Sequence, residues 1–368
     1  MRTPPRLVAP TSACLAILLL CAAAHPARAQ QARPSRLAID ASAVVDETFS
    51  DADRWHVTGV IADALFSVDV GGGFQAITRP FVQRIAGTEE WNAQLWVAAL
   101  RYERAGPVGV RVDAGYIPAP IGSANLLLRP HLNPTIAQPS SLFAPLPSLV
   151  PRGPRGTLLG ALYPLGATAT VSGVRWDARA GVMDSSPLRS RRVFSDDAPP
   201  NPPAFTNVVI GAGVTPFVGF RVGASLAKGG WLEAGESPAV TADHDATVVT
   251  LESELAFRYT KLLGEWTRDR IGTNAGDRAA KGWFLQAQQT LAPRWFVAGR
   301  VERMMSPAAT SVPGIFVDQA LTGAEETVGY RVSPEVTLRA SHRARKGFGA
   351  PGYTQTFAVS VVWWKRLI

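Results

Sequence analysis

Arginines and carboxylates at alternating positions are the chemistry-bearing feature of this chain: Arg111 with Asp113, Arg175 and Arg179 around Asp177, Glu252 with Glu254, and Arg300 with Glu302. Arg221, Arg339 and Arg343 sit in similar settings. A fixed array of such groups can bind, sort or repel charged solutes, but it makes and breaks no covalent bond. A second feature is an acid-free stretch, Pro118 to Pro164, whose ionisable residues are Arg129, His131, Arg152 and Arg155. With no local carboxylate these arginines leave a net positive field, and rings of Arg or Lys favour anions.

An enzyme needs a constellation that is not visible here. Of the histidines, His56, His131, His244 and His342 are scattered without metal-ligand spacing, and no local pair with a Ser or Asp nominates a nucleophile and its base. Gly71-Gly72-Gly73 reads as a hairpin turn and Gly211-Ala212-Gly213 as small residues on a strand; neither completes a phosphate-binding fingerprint. No catalytic, cofactor or metal site is expected. The basic run Arg189, Arg191, Arg192 lies among prolines and aspartates and suits a solvated surface loop better than a nucleic-acid interface.

The elements that must position these charges follow from composition and pattern. The chain has 368 residues, 46% hydrophobic and 18% charged, with 37 Lys+Arg against 29 Asp+Glu for a net +8 and a mean hydropathy of +0.07. Disorder would need lower hydrophobicity, and a bundle of membrane helices a far higher mean. Arg2 and Arg6 precede a short apolar stretch, Ala13 to Ala24, and Ala27-Arg28-Ala29 supplies a cleavage box. Residues 1–29 therefore read as a cleaved secretory signal peptide. Both cysteines, Cys14 and Cys21, leave with it, as do three of the eight positive units, on Arg2, Arg6 and Arg28.

The mature segment, 30–368, reads as one all-β domain. In Tyr353 to Trp364 one parity holds Tyr353, Phe357, Val359, Val361 and Trp363, and the other Thr354, Thr356, Ala358 and Ser360. Val174, Trp176, Ala178, Ala180 and Val182 alternate with Arg175, Asp177, Arg179 and Gly181. Thr247 to Tyr259 sets Val249, Leu251, Leu255 and Phe257 against Thr250, Glu252 and Glu254. A period of two means strands, here about ten residues long, the length a tilted membrane strand requires. Aromatics such as Tyr116, Tyr259, Trp283, Trp295, Tyr330, Tyr353 and Trp363 end the apolar faces, where interfacial girdles belong.

Connections alternate in length. Short links fall at Gly71 to Gly73, Arg104 to Pro107, Ser172-Gly173, Pro216, Thr260, Ala292-Pro293 and Ser333-Pro334. Longer segments lie between them, among them Ser306 to Ala320, the longest being Pro118 to Pro164. This sorting predicts a transmembrane antiparallel β-barrel of about 16 strands with short periplasmic turns and long external loops. Its apolar parity faces lipid, and its charged parity a water-filled lumen, because an arginine at the lipid midplane costs roughly 2–4 kcal/mol. Around Trp91 to Glu103 the parity is ambiguous, and Trp96, Ala98, Leu100 and Tyr102 are placed outward so that Arg101 and Glu103 meet water.

On these features the chain resembles the Gram-negative outer-membrane porins, in architecture and not through any invariant string. The resemblance implies a channel for passive diffusion of small hydrophilic solutes, a likeness to general and anion-selective members, a homotrimer, and contact with outer-membrane lipid and lipopolysaccharide. It implies that the third external loop, Pro118 to Pro164, folds into the lumen and constricts it. Two departures stand out. The chain ends Trp363-Trp364-Lys365-Arg366-Leu367-Ile368 and not on an aromatic residue, and its constriction loop lacks the acidic residues usual there.

The pore reading nominates Arg111, Asp113, Arg129, Arg152, Arg155, Arg175, Asp177, Arg179, Arg221, Glu252, Glu254, Arg300, Glu302, Arg339 and Arg343 as pore-lining or selectivity residues. Two alternatives stay open: lumen arginines paired as ordinary wall lining, and Arg152 and Arg155 solvated at the loop base or touching lipopolysaccharide phosphates. Leu126-Leu127-Leu128, Leu142-Phe143, Leu146 and Leu149 either pack the loop against the wall or line a passage for amphiphiles. Anion preference is expected to be weak. The rival reading is a surface binding or structural barrel whose lumen is plugged.

Overall fold

The computed structural model describes all residues except 1–35, 52–54, 85–90, 151–152, 154, 161–163, 190–205, 313 and 368. Sixteen strands follow in chain order: β1 (Leu37–Ser50), β2 (Trp55–Gly71), β3 (Phe74–Arg84), β4 (Trp91–Arg104), β5 (Gly109–Tyr116), β6 (Leu165–Ser172), β7 (Trp176–Met183) and β8 (Asn207–Phe217). The second half comprises β9 (Phe220–Leu232), β10 (His244–Phe257), β11 (Thr260–Ile271), β12 (Arg278–Thr290), β13 (Trp295–Ala309), β14 (Phe316–Arg331), β15 (Val336–Lys346) and β16 (Thr354–Arg366). Each pairs antiparallel with its sequence neighbours, and β1 closes the barrel on β16 with Asp40 opposite Arg366. Closure removes both sheet edges, so every strand has a partner on each side.

Side chains sort by parity as the alternation predicts. Val249, Leu251, Leu255 and Phe257 point out from β10 while Thr250, Glu252 and Glu254 point in, with Leu251 and Phe257 exposed and Thr250 and Glu252 buried. At the short-turn end the rings of Phe217 and Phe220, Trp295 and Tyr330, and Phe74 and Tyr102 pair at 5.2, 4.7 and 5.0 Å, building a belt of aromatic side chains at one level. The turns there are tight. Val218-Gly219 joins β8 to β9 with Gly219 at φ 89°, where a Cβ would stand 2.3 Å from the Ala256 carbonyl oxygen.

Several expected boundaries move because paired register carries strands beyond their clean alternation. β13 and β14 pair as far as Ala309 and Phe316, so the expected long link from Ser306 to Ala320 shrinks to Thr310–Ile315. Thr260 opens β11 instead of turning, the turn being Arg258-Tyr259 with Arg258 at φ 53°. Pro216 lies inside β8.

One face assignment is overturned. The ladder between β3 and β4 shifts between Arg79 and Pro80, which leaves Trp96 as the extra residue of a bulge. Ala98, Leu100 and Tyr102 face outward as expected, but Trp96 turns to the inside and stacks on Phe81 at 3.9 Å, with the Arg79 guanidinium 4.9 Å from the ring centre. A bulge flips the parity of everything beyond it, and simple alternation has no means of marking one.

Candidate functional site

The long connection between β5 and β6, residues 117–164, meets the inner wall of the barrel along β11 and β13 to β16. Its described residues contain a 3₁₀ turn (Ala124–Leu128) and a one-turn helix, α1 (Ser140–Phe143). Having almost no regular structure, the loop must satisfy its backbone polar groups elsewhere. The wall supplies the partners. Glu265 of β11 accepts from the amides of Ser123 (2.5 Å) and Ala124 (3.0 Å), and Glu325 of β14 from those of Ile136 (2.9 Å) and Ala137 (3.0 Å). Glu302 of β13 accepts from the Ser140 amide at 2.8 Å and its hydroxyl at 2.5 Å.

The arginines do the complementary work. Arg339 of β15 donates through Nη1 to the carbonyls of Asn133 (2.7 Å), Thr135 (3.0 Å) and Pro130 (3.3 Å), and through Nη2 to Ser360. Arg300 donates to the Thr135 hydroxyl at 2.9 Å and the Gln138 carbonyl at 3.1 Å. Arg343 reaches Glu302 and the Ser140 hydroxyl, each at 3.4 Å. An acid-free loop is thus held by charges that all sit on the wall.

Apolar packing completes the seat. Leu127, Leu128, Leu142, Leu146 and Leu149 are buried in one cluster with inward residues Ile271, Phe284, Met304 and Leu321, and the cluster extends to Ile77 and Val97. Burying a leucine contributes roughly 1.5–3 kcal/mol. These leucines hold the loop, whereas Leu126 and Phe143 remain exposed.

The nominated pore residues divide by exposure. Arg300, Glu302 and Arg339 face the lumen as expected, but Arg300 and Glu302 are only 1% and 4% exposed in their side chains, and Arg339 is buried. This corrects their assignment to the water-lined surface: the loop seals them. In a second group the arginines reach solvent, although their partners Asp113 and Glu252 are buried. Asp113 pairs with Arg101 at 2.6 Å and with Arg111 at 3.2 Å, and the Arg111 side chain is 48% exposed. Arg221 spans Asp177 (2.9 Å) and Glu252 (2.7 Å), and Arg179 reaches Glu252 at 3.1 Å. Glu254 pairs with Lys261 at 2.9 Å.

Other nominated residues fall elsewhere. Arg175 lies in the β6–β7 turn and not on a strand. Arg129 is half-buried at the loop tip and its carbonyl caps the turn to Leu132 and Asn133. Beside it His131 stacks on Trp364 at 5.4 Å, and burial, followed by the Arg129 charge, pushes its imidazole down to about 4. Arg155 is exposed near the external mouth, and Arg152 lies outside the described residues.

Alternation left some functional groups unread. Arg79 donates to Asp63, which also takes the Ser42 hydroxyl, making a buried inward cluster on β1 to β3. Nothing in the sequence marks Glu265 and Glu325 as loop anchors, because a carboxylate that binds backbone amides leaves no mark on the loop's side chains.

No protein-family description matches the chain, and no curated protein does either. Among solved structures the fold is similar to that of OmpF of Salmonella typhi in complex with daunomycin (11% identical, TM-score 0.58, covering 89% of this chain and 97% of that one). It is similar also to OmpT of Vibrio cholerae in its trimer form (11%, 0.57, 89% and 99%) and to an anion-selective porin of Comamonas acidovorans (13%, 0.56, 89% and 98%). At such identities the likeness is one of fold: this chain's closed 16-strand barrel resembles theirs.

Proposed function

We propose that this barrel is a Gram-negative outer-membrane porin through which small hydrophilic solutes diffuse passively, with a weak preference for anions. The observation that carries the reading is the unequal fate of the lumen charges. Where the loop is pressed to the wall its anchors are sealed; on the wall from β4 to β10, Arg101, Arg111, Arg179 and Arg221 keep contact with water. A constriction pinned to one side leaves a charged passage along the other. Along that passage Arg101, Arg111, Arg179 and Arg221 balance Asp113, Asp177, Glu252 and Glu254, so the weak anion preference rests on the acid-free loop with its Arg129 and Arg155.

In this reading residues 1–29 are removed on export, the aromatic belts sit at the membrane interfaces, and lipid and lipopolysaccharide surround the wall. Three copies associate, a proposal supported by the trimer form of the similar Vibrio cholerae protein. No covalent step, cofactor or metal takes part.

One observation favours a rival. The loop's apolar cluster reaches Ile77 and Val97 on the opposite wall, as a plug would. Planar-bilayer recording under a salt gradient separates the readings. The porin reading expects ohmic steps with a reversal potential displaced toward that of chloride. A silent membrane favours the plugged barrel, and a cation-directed reversal potential removes the anion preference alone.

A further inference from the structure

At the external mouth a cavity of about 430 Å³ opens between the returning limb of the loop and the upper ends of β13, β14 and β15. Its floor is fixed by the Ala309 amide, which donates to the Ser148 carbonyl at 2.9 Å. Pro145, Leu146, Leu321 and Phe348 give it apolar walls, and Ser148 and Gln319 add neutral polar groups. Two cations border it, Arg155 from the loop and Arg345 from β15, and no carboxylate does.

These arginines differ from those deeper in the barrel. Each charge of the wet strip is matched: Arg221 by Asp177 and Glu252, Arg111 by Asp113. Neither Arg155 nor Arg345 makes an ion pair among the described residues, and Arg345 Nε is buried with no hydrogen-bond partner. The charges nearest Arg345 are Arg343, on its own strand, and Glu302. Glu302 is already engaged by Ser140 and Arg343. A half-buried guanidinium with an unused donor, beside a second free guanidinium and an apolar wall, lacks an anion. Guanidinium forks suit carboxylates, and the cavity volume lies in the range of small-molecule sites.

We infer that this vestibule is a binding site for small organic monoanions, a carboxylate held between Arg155 and Arg345 with an aromatic or branched aliphatic body against Pro145, Leu146 and Phe348. It rests on the channel reading by naming the solute class that the mouth collects. Inorganic anions such as chloride meet the same charge but gain nothing from the apolar wall.

Benzoate is a suitable probe. Equilibrium dialysis of labelled benzoate against the purified full barrel, in detergent free of lipopolysaccharide, is expected to show one saturable site per chain. Benzamide, the same size without the charge, should compete at least tenfold more weakly, as should acetate, which has the charge without the ring. Arg345→Gln and Arg155→Gln should each weaken binding at least tenfold while the heat-modifiable mobility of the folded barrel is kept. Absence of saturable binding, or equal binding by the double variant, overturns the site. Dialysis needs no current, so a silent bilayer with benzoate binding intact would remove the channel reading alone, and conducting barrels that ignore benzoate would remove only the vestibule.

Discussion

Arg300 of β13 and Glu325 of β14 stand directly opposite each other in the ladder and close an ion pair at 3.0 Å with side chains 1% and 2% exposed. Neither is consumed by the other. Glu325 gives its second oxygen to the amides of Ile136 and Ala137, and Arg300 its remaining donors to Thr135, Gln286 and Gln138. A buried pair is weak evidence for stability by itself, because desolvation offsets the Coulomb gain. Its role here is to give a loop without carboxylates of its own a set of fixed donors and acceptors.

Glu325→Gln should therefore loosen the loop before it damages the barrel. Removing one partner of a buried pair costs about 3–5 kcal/mol. The strand ladder, whose bonds are backbone to backbone, is untouched, so the cost falls on the seat of residues 135–138. Trypsin should cut within the loop several-fold faster while the heat-modifiable mobility of the folded barrel persists, and single-channel current should rise and grow noisy. A variant as trypsin-resistant and quiet as the parent would show that the anchor does not hold the loop.

Gly122→Ala tests the first anchor. Gly122 has φ +65°, and a Cβ there would lie 2.5 Å from Glu265 Oε2, the oxygen that receives Ser123 and Ala124. The substitution adds left-handed strain and pushes the carboxylate off its two amides, costing of order 1–3 kcal/mol. Calorimetry of the detergent-solubilised barrel should show a separate, earlier transition for the loop; a single unshifted transition would refute it.

The architecture was legible because closed membrane barrels impose a two-residue period, which β10 and β16 display with few exceptions, inward Val248, Val362 and Trp364 among them. Trp96 was misread because the bulge opposite Arg79 and Pro80 reverses parity without altering composition. The seat of the loop was illegible for another reason. Arg339 holds three carbonyls, and Glu265 two amides, so the recognised groups belong to the backbone, which every sequence supplies. Arg300 and Arg111 occupy equivalent inward positions in their strands; only the course of the loop makes one an anchor and the other a wet charge.

That division makes Arg111 the better handle on selectivity. Its side chain is 48% exposed and shares Asp113 with Arg101, so its loss leaves no buried charge unmatched. Arg111→Gln should change stability by less than about 1 kcal/mol, as befits an exposed partner, and shift the reversal potential in a salt gradient toward that of the cation. Arg300→Gln should disturb the loop instead. A reversal potential indifferent to Arg111 would place the passage elsewhere.

His131 sets the expected pH dependence of the loop tip. Its imidazole is held down to about 4 against an ordinary value near 6.5, first by burial and then by Arg129, and its Nδ1 has no hydrogen-bond partner among the described residues. A depressed histidine favours the neutral form in the folded loop. Above about 6.5 both seated and released loops carry it neutral, and the seat has its full strength. As pH falls from about 6.5 toward about 4 the released loop takes up a proton that the seated loop refuses, so seating weakens across that window and the loss levels off below it. Loop release, read as trypsin-accessible fraction after brief acid exposure or as channel noise, should grow between those limits. His131→Phe keeps a ring against Trp364 and removes the titration, so it should flatten the profile; the same acid response in that variant would assign the effect to the wall carboxylates.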